Sequence, residues 1–142
     1  MAPPDSSEHD VISSAMLQAL VDMIGADAPE QVVEFIDIYL DQAQQLIDRL
    51  HEAIDGRDSA ALLIAVHSLK SGSALVGALD LSALCAEMER AARSGDTAFD
   101  NAASLDAIEA AHYRAHRALL QERQAFLAQS RVGQRDDAMN NI

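Results

Sequence analysis

The sequence predicts an all-α fold, an antiparallel up-down-up-down four-helix bundle with a short N-terminal capping helix. Apolar residues recur at steps of three and four along successive segments, as one face of a 3.6-residue period requires. Composition agrees, with 49% hydrophobic residues, only 4% aromatics and just 3 prolines and 6 glycines. The breaks between segments fall at Gly25, Asp55-Gly56, Gly77 and Gly95-Asp96, which leaves only short connections.

The segments follow in order. Residues 1–11, with Pro3, Pro4 and Asp5, read as a disordered lead-in, and residues 12–128 as one domain. Ser13 or Ser14 can cap a first short helix whose stripe is Leu17, Leu20, Val21 and Ile24. Asp27-Ala28-Pro29-Glu30 resembles a capping box with Asp27 as the cap. A long helix follows, striped by Val33, Ile36, Leu40, Ala43, Ile47, Leu50 and Ile54 and widened by Val32, Phe35, Tyr39 and Leu46. Asp37, Asp41 and Asp48 form its solvated side. Asp58 or Ser59 caps the third helix, and Gly77 suits its left-handed end. Asp80 is the expected cap of the fourth, which buries Leu81, Leu84, Cys85, Met88 and Ala92. The last helix carries Leu105, Ile108, His112, Ala115, Leu119 and Phe126 on one side. From Gln129 to Ile142 the periodicity fades, and a flexible polar tail is expected.

A chain of 142 residues suffices for one domain burying about two-thirds of its unfolded surface. A net charge of −13 with scattered Lys and Arg argues against nucleic acid and anionic membranes as partners. No apolar run nears the ~20 residues of a membrane span, and the polar start Met1-Ala2-Pro3-Pro4-Asp5 predicts no signal peptide. A single cysteine excludes an internal disulfide and fits a cytoplasmic protein.

On the third helix, His67 shares a face with Ala60, Leu63, Ile64, Lys70, Ser71 and Ala74. The opposite face holds Leu62, Ala65, Val66, Leu69, Gly72, Ser73 and Val76, the apolar and small set that a core takes. His67 is therefore turned outward, among small and aliphatic neighbours that suit a docking partner better than water. A neutral imidazole with one free lone pair can act as a nucleophile, and Lys70, one turn along on the same face, is placed to stabilise negative charge beside it. Glu89 stands at the edge of the fourth helix's stripe, where it can face the histidine, while Glu87 projects further away.

His67-Ser68-Leu69-Lys70, followed by small residues and Gly77-Ala78, resembles a histidine-containing phosphotransfer (HPt) domain. The likeness continues from Leu84-Cys85 through Met88-Glu89 to Ala92-Arg93-Ser94-Gly95-Asp96. It implies a phosphorelay intermediate of a two-component system, in which His67 takes a phosphoryl group at Nε2 from a receiver aspartate and passes it to another. It also implies that Glu89 orients the ring by binding its other nitrogen. Partners would be receiver domains of response regulators or hybrid sensor kinases, docking on Leu63, Ile64, Ser71 and Ala74. Mg²⁺ would sit on the receiver, this chain carrying no cofactor or metal and working as a monomer. Many family members have Gly where Ser71 stands, which bears on partner preference.

Two other readings share the motif: the phosphoacceptor domain of a chemotaxis-type histidine kinase, and a non-catalytic helical adaptor. No Gly-rich phosphate loop or kinase motif is present, so the chain is not expected to be an enzyme that phosphorylates itself from ATP. His112 and His116 lie one turn apart without an evident third ligand, and Cys85 reads as inert core with no basic neighbour in sequence.

Overall fold

The computed structural model describes residues 11–25, 27–95 and 102–140, with side chains of the last helix described as far as residue 132. Among the described residues five helices follow one another: α1 (Ser14–Ile24), α2 (Pro29–Asp55), α3 (Ser59–Leu75), α4 (Leu79–Arg93) and α5 (Ala102–Asn140). Helices α2 to α5 form the bundle, α2 packing on α3 and α5, and α4 on α3 and α5. The short α1 lies against α2 and α3 as the capping helix. Neighbours run antiparallel, since Asp37 and His51 of α2 meet Arg123 and Glu109 of α5, respectively. Asp37 is thus an ion-pair partner, its carboxylate accepting Arg123 Nε at 2.7 Å and Nη2 at 3.1 Å. Asp41 and Asp48 stay on the exposed side, each accepting from a glutamine four residues away.

The stripes converge on one core. Val32, Ile36, Leu50, Leu62, Val66, Leu69, Leu81, Ile108 and Leu119 are among its buried side chains. Leu84, Ala92 and Phe126 are only partly buried at its margin. Burying side chains of this size contributes about 1.5–3 kcal/mol each against leaving them in water. Within the core, Tyr39 on α2 and Ser73 on α3 share a hydrogen bond of 3.1 Å, fixing how the two helices slide past each other. Burial pushes the Tyr39 phenol up to about 12, so it stays protonated and able to donate.

Helix ends show where side-chain chemistry decides and where backbone decides. Ser13 accepts from Met16 N and Asp58 from Ala61 N, so both cap as their sequence context predicts. Asp27 does not cap α2: Ala28 is the N-cap, because Pro29 with its fixed φ occupies the first helical position. Glu30 is engaged instead by the Ser130 hydroxyl of α5, so no capping box forms. Asp80 likewise is not the cap of α4. Ala78 holds that place after the left-handed turn at Gly77, and Asp80 sits in the first turn, where its charge complements the helix dipole. Gly77 has φ +85°, and a Cβ there would come within 2.8 Å of Ser13 O, so α1 docks on a turn that only glycine permits. Ser13 N donates to Gly77 O at 2.8 Å across this joint.

Two expectations at the chain ends change. Val11, assigned to the lead-in, packs half-buried against the core, while residues 1–10 lie outside the described residues. The expected frayed tail from 129 is helical as far as Asn140. Gln, Arg, Ala and Met favour helix without needing an apolar stripe, so loss of periodicity ended the packing face and not the helix.

His112 faces inward from α5 at 7% exposure, its Nδ1 buried without a hydrogen-bond partner and its ring edge-on to His116, 6.0 Å away. Burial first, then His116, holds its pKa below the ordinary 6.5, against the opposing pull of Glu109. The folded state therefore binds this proton less readily than the unfolded chain. Its contribution to stability is complete above pH 6.5 and is lost as pH falls from there toward the depressed folded value. Urea midpoints are expected to drop between pH 7.5 and 5.5, and His112→Leu should flatten that drop. An unchanged slope in the variant would exclude His112 as its source.

Candidate functional site

The site forms where α3 and α4 run side by side. The side chain of His67 is 55% exposed, while that of Glu89, across on α4, is only 8% exposed. His67 Nδ1 lies 2.7 Å from Glu89 Oε2. The other carboxylate oxygen, Oε1, accepts from Lys70 Nζ at 2.5 Å, and Arg93 Nη2 donates to Oε2 at 3.3 Å. A carboxylate buried this far needs its lone pairs filled, and α3 and α4 supply the donors. Lys70 above all, then His67, hold the Glu89 carboxyl down to about 2, with burial opposing and Arg93 helping.

That ionisation settles the tautomer. A carboxylate can only accept, so the hydrogen bond requires the proton on Nδ1. In a neutral ring the lone pair is then on Nε2, the nitrogen away from Glu89. Ser82 Oγ of α4 donates to the carbonyl of Lys70 at 3.0 Å, joining the two helices at the level of the site. Glu87 is exposed and takes no part in the contacts with His67.

The outward face around His67 is apolar for a water-facing surface. Ile64 is 68% exposed, Ser71 is exposed, and Leu63 and Ala74 are half-buried beside them. Toward α2 this face continues into a groove of about 420 Å³ lined by Leu46, Ala53, Ala61, Ile64 and Ser68, with Arg49 also on its wall. The groove was not foreseen, because it takes two helices to build and each sequence stripe reports on one.

Cys85 is buried beneath the site. Folding does bring Lys70 close enough to favour its thiolate, but burial outweighs this and pushes the thiol up to about 12. It remains an unreactive part of the core. Among the described residues, no group of three His, Cys, Asp or Glu is placed to hold a metal ion. Nor is any of their helices long and apolar enough to cross a membrane.

The family model for the Hpt domain matches residues 34–129. The chain belongs to the Hpt domain family. Among solved structures, histidine-containing phosphotransfer protein B of Pseudomonas aeruginosa is 26% identical and superposes with a TM-score of 0.72, covering 82% of this chain and 96% of that one. The HPT domain of a sensor hybrid histidine kinase from Shewanella is 17% identical, with a TM-score of 0.63 and coverage of 77% and 92%. That second likeness speaks for the fold. No curated protein sequence matches the chain. An Hpt domain is a phosphotransfer carrier that interacts with receiver domains, so this chain is a phosphorelay intermediate of two-component signalling.

Proposed function

We propose that this Hpt domain carries its phosphoryl group on Nε2 of His67, taken from a receiver aspartyl phosphate and delivered to a second receiver. The observation that carries the reading is the exposed ring whose Nδ1 is held by an ionised Glu89. In the step, the Nε2 lone pair attacks phosphorus and an N–P bond forms. The P–O bond to the receiver carboxylate breaks, its electron pair returning to that carboxylate. The proton stays on Nδ1 against Glu89. Glu89 fixes the nucleophile, and Lys70 offsets charge on the transferring oxygens. Mg²⁺ belongs to the partner's site, and the chain brings no ATP chemistry of its own. It works as a cytoplasmic monomer with 12–128 as its functional unit.

The receiver docks over Leu63, Ile64, Ser71 and Ala74, its acid-rich site meeting the cations at Lys70 and Arg49. Incubation with a panel of phosphorylated receivers should give acid-labile, alkali-stable label on this chain, the behaviour of an N–P bond. Label appearing only with ATP and a separate kinase core would point to the chemotaxis-type role, and binding without label to an adaptor. Ser71 stands at i+4 from His67, directly in the path of a docking partner. Ser71→Gln is expected to leave the melting temperature unchanged while slowing transfer about tenfold, as loss of ~1.4 kcal/mol of docking would. Equal transfer rates in variant and wild type would place the interface elsewhere.

A further inference from the structure

Lys70 presents a conflict of duties. In the resting structure its ammonium is bound to Glu89 Oε1 at 2.5 Å, so it is not free for a phosphoryl group. The same carboxylate must stay charged and in place, because its Oε2 holds His67 Nδ1. Moving Lys70 toward Nε2 would strip a carboxylate only 8% exposed of its strongest partner. One further cation reaches that carboxylate among the described residues. Arg93, four residues along α4, donates to Oε2 at 3.3 Å, with its side chain 63% exposed.

We propose that Arg93 is a positioning residue for phosphotransfer, balancing Glu89 so that Lys70 can leave that carboxylate for the phosphoryl group on His67. The inference rests on the phosphotransfer reading given above. Arg93 lies one turn beyond Glu89 on the same helix, so it approaches the carboxylate whatever Lys70 does. Lys70 comes from α3 on a flexible four-carbon stem, able to swing between two anions on the same side of its helix. The phosphoryl oxygens carry two negative charges against one on Glu89, and the ring, which keeps its proton on Nδ1, turns cationic and offsets Glu89 from its own side. The ammonium is drawn outward once Arg93 has weakened its hold at Glu89. No covalent change is involved beyond the transfer itself: Lys70 exchanges one anionic partner for another and keeps its proton.

Acceptance rates from a phosphorylated receiver, measured for the wild type, Arg93→Met, Arg93→Lys, Lys70→Met and the Lys70→Met/Arg93→Met double variant, test this. Arg93→Met should slow acceptance about two- to fivefold, the scale of a partly exposed ion pair. Arg93→Lys should recover most of that loss, since only a cation is needed. In the double variant the two losses should not add, because Arg93 acts through Lys70. Additive losses would show Arg93 touching the phosphoryl group directly and overturn the proposal, as would failure of Arg93→Lys to rescue. Wild-type protein that takes no label from any receiver would instead remove the phosphotransfer reading beneath it.

Discussion

His67→Gln is expected to abolish labelling by phosphorylated receivers while leaving the fold and receiver binding in place. The side chain is 55% exposed and buries nothing essential, so the cost to stability should stay within about 0.5 kcal/mol, as for other surface changes. Glutamine is at least as good a helix former as histidine, so α3 is not weakened. Its amide N–H can still donate to Glu89, which spares the carboxylate the penalty of an unpaired buried charge. What disappears is the proposed nucleophile. An amide nitrogen has its lone pair delocalised into the carbonyl and cannot attack phosphorus. Residual label on the variant, at a level near wild type, would mean that another residue accepts the phosphoryl group.

How much of this was legible beforehand depended on whether one helix or two were needed to see it. The outward setting of His67 is a property of α3 alone: Leu62, Ala65, Val66, Leu69 and Ser73 are buried together, which leaves residue 67 facing out. Glu89 was reachable from its place at the edge of α4's stripe, though its bond to Nδ1 required the α3–α4 register. The rest of the network was not legible. Nothing in the spacing of residues 70, 89 and 93 says that one carboxylate takes both cations and the ring. The groove beside Ile64 and Arg49 depends on the α2–α3 gap in the same way. The caps divide along similar lines. Ser13 and Asp58 act through their own side chains and could be picked out, whereas Ala28 and Ala78 cap by default, next to Pro29 and the Gly77 turn.

Glu89→Ala is expected to separate function from stability more sharply than any other change at the site. Alanine leaves Nδ1 without its acceptor, so the ring is free to rotate and to carry its proton on either nitrogen. A loss of about 10²-fold in acceptance rate follows, the scale set by misplacing a reacting group by about 1 Å. Glu89→Gln restores a neutral acceptor for Nδ1–H and should recover the larger part of that loss. The stability effect has a definite pH dependence. The folded-state carboxyl is held at about 2 against an ordinary 4.5, so its contribution is fully present above pH 4.5 and is lost as pH falls through about 2. Wild type should therefore lose stability across this window faster than the alanine variant, the two curves converging toward pH 2. Lys70 and Arg93 both reach solvent and can re-hydrate when the carboxylate is gone, which keeps the cost at neutral pH below that of breaking a fully buried pair. Parallel curves, with a constant gap from pH 7 to pH 2, would show that the carboxylate's charge contributes nothing to the fold.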